Sequence, residues 1–576
     1  TFANIGDGEL SYELSSDHPQ IDVAAGSGNL GAQGNANITV SLSCSGVDVN
    51  GNLTLASNDS DESEVSIPVA VACLPAPSYE ISRITLNQAA RSFDSNLSDA
   101  PSISILAGRD ILVRAFVTGD GGIPDAQAVL TSAGNAQSFA MRLPPNVGAS
   151  PADESILSAS HFVVIPGSAL SVGSTLRVEV SPTSNLVAYP LTGNIDLQVV
   201  NPGSFNITFV PVEFGGETPS IDGEQYLQQT RQQLPIGDYD IDVRSPYQFT
   251  GAYDLDVLMD EIADLRDLDG SGRLYHGVIV SPNQGSQTAG LGFVGFPVSV
   301  TIDLSGSQNV ISHEIGHNLN LRHAPGCSAP NTDPDFPYAD ADVTSWGFDI
   351  VTNQLVEPTP TKKDLMSYCG DLWISDYHFN VALDHREGNS LGQTPGDLLL
   401  VSGRVNAGVV EELKVLPVLP VLGVTDASVG DYELVLWDKQ GLQMSSARTK
   451  MIEIGDREGV ASFRARMEGD LADIAHIELH HQGSVLFTQD FVRDPNVAAE
   501  VTWDASRLNV GWQPQRGDTL ILRDADGVVR AMDRSGRLVV DQVVAGSILE
   551  IVQPGLGLQR THLTSTGRDP IWLLDR

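Results

Sequence analysis

The sequence predicts a multidomain chain in which one mixed α/β domain is flanked by all-β sandwich domains. Three observations carry that prediction. A chain of 576 residues exceeds what a single hydrophobic core organises. Its two ends show short alternating strands broken by Gly, Pro, Asn, Asp and Ser, whereas a central stretch alternates helical and strand patterns. Hydrophobic residues at 41% and charged residues at 18% describe ordinary folded protein rather than a disordered or fibrous chain.

Taken in order, residues 1–78 read as a first sandwich of the immunoglobulin-like (Ig-like) kind, with strands at Leu10–Leu14, Ile38–Leu42 and Val65–Cys73 and a Pro-containing linker over 74–78. The same rhythm continues through a second sandwich, 79–204, with strands at Ile111–Val117, His161–Ile165 and Leu176–Val180. The pattern changes over 205–392. A strand at Ile207–Phe214 is followed by helices at Gly223–Leu234 and Leu255–Asp267, then a strand at Tyr275–Val280. An apolar Gly-rich stretch, Leu291–Ile302, precedes helices at Val310–Leu319 and Asp376–Arg386. Strands then return, giving a sandwich over 398–495 and a small β domain over 496–576. No fixed-period repeat is present.

The net charge of −41, from 73 acidic against 32 basic residues, excludes a nucleic-acid binder and disfavours anionic lipid. A surface of that kind stays hydrated in a salty medium. No apolar run is long enough to span a membrane. Four Cys, at 44, 73, 327 and 369, fit an oxidising compartment. Three pairings are formally open, and local pairing, Cys44 with Cys73 and Cys327 with Cys369, is the simplest. The chain opens at Thr1 without Met and without a charged-then-apolar leader, as a processed product would. A secreted or cell-surface monomer is the expectation.

Two acidic turns imitate calcium loops. Asp267-Leu-Asp-Gly-Ser-Gly272 has Val278 where a bidentate Glu is needed, and Asp524-Ala-Asp-Gly527 sits between strands as a hairpin turn would. Both read as plain turns, so Ca2+ has no sequence support.

The chemistry concentrates in His313-Glu-Ile-Gly-His317-Asn-Leu-Asn-Leu-Arg-His323. Residues four apart share one face of a helix, so His313 and His317 can present imidazole nitrogens to one ion. Glu314 lies about 100° further round, angled toward a nucleophilic water rather than toward the ion. Ile311, Ile315 and Leu319 form the opposite apolar stripe. For His323 to reach the same ion the chain must turn away first. Asn320 stands where that turn is needed, and Asn tolerates left-handed backbone best among non-Gly residues. Three neutral imidazoles leave a tetrahedral Zn2+ with one open position, the catalytic rather than the structural arrangement. His276, His378 and His385 lack ligand spacing and read as structural.

These residues resemble the metzincin zinc peptidases, whose His-Glu-x-x-His-x-x-Gly-x-x-His signature is matched except that Asn320 replaces the Gly. The family also carries a Met-turn beneath the metal. Asp364-Leu-Met-Ser-Tyr-Cys369, with Met366 lying 43 residues after His323, looks like it. Tyr368 matches the Tyr that astacin-like and serralysin-like members place near the metal. The wording of the motifs is serralysin-like, but Gly/Asp-rich calcium repeats are absent and Ala324 departs from the better-known branches. Flanking sandwiches and the Cys327/Cys369 pair look more like large secreted bacterial metzincins, including mucin-degrading ones. The resemblance implies one catalytic zinc on His313, His317 and His323, Glu314 as general base, Tyr368 as oxyanion donor and a protein or glycoprotein substrate. Two other classes stay open at this point: an adhesin or glycan-binding protein with a vestigial protease domain, and a zinc amidase acting on non-protein amides.

Overall fold

The computed structural model describes all residues except 45–46, 74–77, 98–102, 121, 182–185, 282–287, 305, 389–397, 419–429, 492–498, 505–506, 564–570 and 573–576. The linker read over 74–78 and the boundary between 392 and 398 therefore lie almost wholly outside the described residues. The chain is mostly β-sheet, with four α-helices among the described residues.

All four helices belong to the central region. There β1 (Phe205–Glu213) leads into α1 (Gly223–Gln233), β2 (Tyr239–Val243), β3 (Tyr247–Gln248) and α2 (Leu255–Leu268). Next come β4 (Leu274–Ile279), β5 (Gly290–Gly292), β6 (Val298–Ile302), α3 (Ser307–Asn318) and α4 (Asp376–Gly388). Both early helices begin at an Asp side-chain cap. Asp222 accepts from Gln225 N–H at 3.2 Å, and Asp254 accepts from Asp256 N–H at 2.9 Å and Val257 N–H at 3.2 Å. Strand β1 pairs in parallel with β2, β3 and β4, and β4 in parallel with β6. Every residue of β4 and β6 is buried, as strands covered on both faces must be. The Gly-rich stretch resolves into two strands, and β5 pairs antiparallel with β6 at the edge of the sheet.

This sheet does not stop at the central region. Gln248 of β3 pairs with Ala531, so four C-terminal strands (Val529–Asp533, Thr519–Arg523, Ile548–Gln553 and Gly557–His562) extend it to ten strands. One continuous apolar core runs through Leu258 and Ile262 of α2, Phe293, Leu399 and Phe463 of the β-strands that follow the central region, and Ile521 and Met532. A second core packs Ile311 and Ile315 of α3, Leu227, Met366 and Phe379 against Ala89 and Leu106 of the all-β stretch that precedes the central region.

Polar joints reinforce both contacts. Trp373 Nε1 donates to Ala89 O at 2.7 Å, and buried Arg109 donates to Leu234 O at 3.1 Å and to the carbonyls of Arg231 and Gln232. On the other side α2 turns Asp260, Asp264 and Asp267 into the interface. Asp264 meets Arg464 at 2.7 Å, Arg534 at 3.0 Å and Lys414 at 3.1 Å. Asp267 meets Arg464 at 2.8 Å and Arg466 at 2.5 Å, while Asp269 pairs with Arg244 at 2.7 Å. The carboxylates of the first calcium look-alike are thus taken by guanidinium groups.

Candidate metal centre

Helix α3 carries two of the predicted ligands and ends beside the third. Its C-terminus closes in a Schellman arrangement around Asn320, which adopts φ 69°. Asn320 N–H donates to His317 O at 2.8 Å and Leu321 N–H to Gly316 O at 3.1 Å. After that reversal His323 Nε2 lies 3.2 Å from His313 Nε2.

All three imidazoles are buried, and each Nδ1 faces a main-chain carbonyl: Leu365 for His313 at 3.0 Å, Leu321 for His317 at 2.8 Å, Pro330 for His323 at 2.5 Å. A carbonyl can only accept, so Nδ1 carries the proton and Nε2 keeps its lone pair. Burial, then the neighbouring His317, holds His313 down to about 3, and burial holds His317 below its ordinary value. Neutral rings with converging lone pairs suit a cation.

A fourth donor joins them that the sequence reading did not find. Asp456 places Oδ1 3.4 Å from His323 Nε2 and Oδ2 3.6 Å from His317 Nε2. Donors held about 2.0–2.1 Å from one tetrahedral ion stand roughly 3.3–3.4 Å apart, so the spacing fits zinc. His317 Nε2 and Asp456 Oδ2 have no hydrogen-bond partner among the described residues, as ligand atoms would not. Asp456 lies 133 positions beyond His323, in a Gly-Asp turn between strands. That dipeptide marks a hairpin tip, but nothing local says where the tip points.

Glu314 is buried against β5. A Cβ on Gly290 would stand 2.7 Å from Glu314 Oε1, and one on Gly292 2.6 Å from its carbonyl oxygen. Glu314 Oε2 has no hydrogen-bond partner among the described residues. Burial, then the charge of Asp456, pushes the Glu314 carboxyl well above the usual range.

The turn carrying Met366 seats directly on α3. A Cβ on Gly316 would meet Met366 Sδ at 2.6 Å, which explains the Gly inside the His-Glu-Ile-Gly-His run. Asp364 ties the turn together: Oδ1 accepts from Met366 N–H at 2.8 Å and from His378 Nδ1 at 2.7 Å, and Oδ2 accepts from Ser375 N–H at 2.8 Å. Burial alone would lower His378, but Asp364 and Asp333 outweigh it and raise it to about 9. His378 is buried against this turn and tied to it through Asp364. The Cys327–Cys369 disulfide, with a sequence separation of 42, joins the segment after His323 to the same turn, and Cys44 pairs with Cys73. Tyr368 is 48% exposed with its ring centroid 4.8 Å from that of His323, and its hydroxyl donates to Asp456 Oδ1.

His313, His317, His323 and Asp456 thus form a group whose ligand atoms lie close enough to hold one metal ion, beside Glu314. A family model, peptidase M66, matches residues 265–390, which contain all these residues except Asp456. The match supports a zinc metallopeptidase, and a peptidase implies a protein substrate. No curated protein matches the chain. Among solved structures, the CupB2 chaperone of Pseudomonas aeruginosa aligns with 34% of this chain and 90% of its own, at 7% identity and a TM-score of 0.11, a likeness that carries no argument.

Proposed function

We propose that the chain is a secreted zinc-dependent endopeptidase whose central α/β region is a metzincin catalytic domain, cleaving proteins or glycoproteins. The observation that carries this reading is the convergence of His313, His317 and His323 Nε2 atoms, with their Nδ1 protons pinned, beside Glu314, whose Oε2 has no hydrogen-bond partner among the described residues. Two disulfides support an extracellular setting, and no helix among the described residues is long and apolar enough to cross a membrane.

Zinc bound by the three imidazoles would polarise the scissile carbonyl and acidify a water molecule. Glu314 takes the proton of the attacking water and returns it to the departing amine. Tyr368, once its hydroxyl leaves Asp456, donates to the oxyanion of the tetrahedral intermediate. Met366 and the Asp364–His378 pair hold the floor of the site in register with α3. The outer edge of β5, where Gly455 and Glu453 now pair, is the edge whose main-chain groups would receive an extended peptide.

The test is hydrolysis of an unfolded protein such as reduced, alkylated casein. Cleavage is expected to stop with 1,10-phenanthroline and to return when zinc is restored. Cleavage that survives complete removal of metal would overturn the reading.

A further inference from the structure

The Asp456 turn has a geometry that goes beyond ligand count. Strands β7 (Ile452–Ile454) and β8 (Arg457–Glu468) belong to the sandwich after the central region, and Gly455 and Asp456 form the two-residue tip between them. The β7 arm lies along the outer edge of the central sheet. Gly455 N–H donates to Gly292 O at 3.0 Å, Val294 N–H donates to Glu453 O at 2.9 Å, and Phe293 and Ile454 form an antiparallel bridge. That is the pairing an extended peptide would make with the same edge. Asn331 Nδ2 reaches the carbonyls of Ile454 at 3.2 Å and Gly455 at 3.1 Å, and Arg322 pairs with Glu453 at 2.6 Å. The fit at the tip is close enough to require glycine, because a Cβ on Gly455 would stand 2.2 Å from the His317 ring.

Building on the zinc-peptidase reading, we propose that this hairpin is a built-in plug. Asp456 supplies the fourth donor to the metal while Glu453–Gly455 occupies the strand position of a substrate, so the chain folds in a latent form. Asp456 also takes the Tyr368 hydroxyl, so the plug withholds two functions at once. The body of the sandwich is fixed to α2 by the Asp264 and Asp267 ion pairs, so opening is confined to the tip. The tip has its own points of bending: the β7–β8 register shifts between Glu453 and Ile454, and Gly459 adopts φ 75° with open space where a Cβ would stand. A peptide strand competing for the β5 edge displaces the arm and carries Asp456 off the metal.

The experiment compares full-length wild type with Asp456→Ala, each loaded with zinc or cobalt. Expected for Asp456→Ala are unchanged metal content, an altered visible cobalt spectrum, and a rise of about 10- to 100-fold in both acetohydroxamate affinity and peptide turnover, the gain when a site closed in that proportion is left open. A wild type that binds neither metal overturns the zinc reading and the plug with it. Metal bound in both proteins, with spectrum, hydroxamate affinity and turnover unchanged, overturns the plug alone. Turnover that falls with metal retained makes Asp456 part of the catalytic apparatus and overturns latency. Loss of metal from the variant makes the site a closed structural one and likewise overturns latency.

Discussion

Glu314→Gln is expected to keep the bound metal and lose about 10²- to 10⁴-fold in kcat, the usual cost of a missing general base. Gln matches Glu in size, so the contacts that seat this side chain against Gly290 and Gly292 survive the change. What disappears is the basic oxygen. In the wild type that carboxyl is pushed up by burial and then by Asp456, and its Oε2 has no partner among the described residues. A group so placed is held ready to exchange a proton rather than locked in an ion pair. Steady-state kinetics beside a metal assay decide the point, and near-wild-type turnover with metal bound would remove Glu314 from the base role.

Asp264→Ala is expected to cost about 3–5 kcal/mol of stability, the range for breaking a buried ion pair from one side. Asp264 is fully buried between Arg464, Arg534 and Lys414, and Arg464 is itself almost completely enclosed. Burial alone would raise the Asp264 carboxyl, but Lys414, Arg464 and Arg534 outweigh it and hold it well below the carboxylate range. Because the folded value lies below the unfolded one, this contribution is complete above about pH 4 and is lost as pH falls toward the folded value. Urea unfolding at neutral pH should show the full loss. A change within about 0.5 kcal/mol, as at an ordinary surface position, would mean that the network does not fasten α2 to the strand Arg457–Glu468.

What the sequence revealed and concealed divides along chain distance. The helix bearing His313 and His317 was legible because its ligands, its apolar stripe and its Asn320 reversal lie within a dozen residues of one another. The local cysteine pairing was legible in the same way. Asp456 was not, because its place depends on which distant hairpin docks at the edge of β5. The acidic face of α2 gives no sign in the sequence that it is buried, since its cationic partners are 140 to 270 positions away in Arg404, Arg464 and Arg534. Within the sheet the C-terminal strands meet the central ones at the pair Gln248 and Ala531, which no local pattern announces. The role of Gly316 emerges only when Met366 is seen against it.

The central claim is that His313, His317 and His323 hold one zinc. Elemental analysis of wild type beside His317→Ala tests it most directly, because His317 Nε2 is buried with no hydrogen-bond partner among the described residues, as a metal-facing atom would be. The expected result is close to one zinc per wild-type chain and its loss from the variant at a zinc concentration that saturates the wild type. A wild-type chain free of zinc, or a variant that retains it as tightly, would contradict the account.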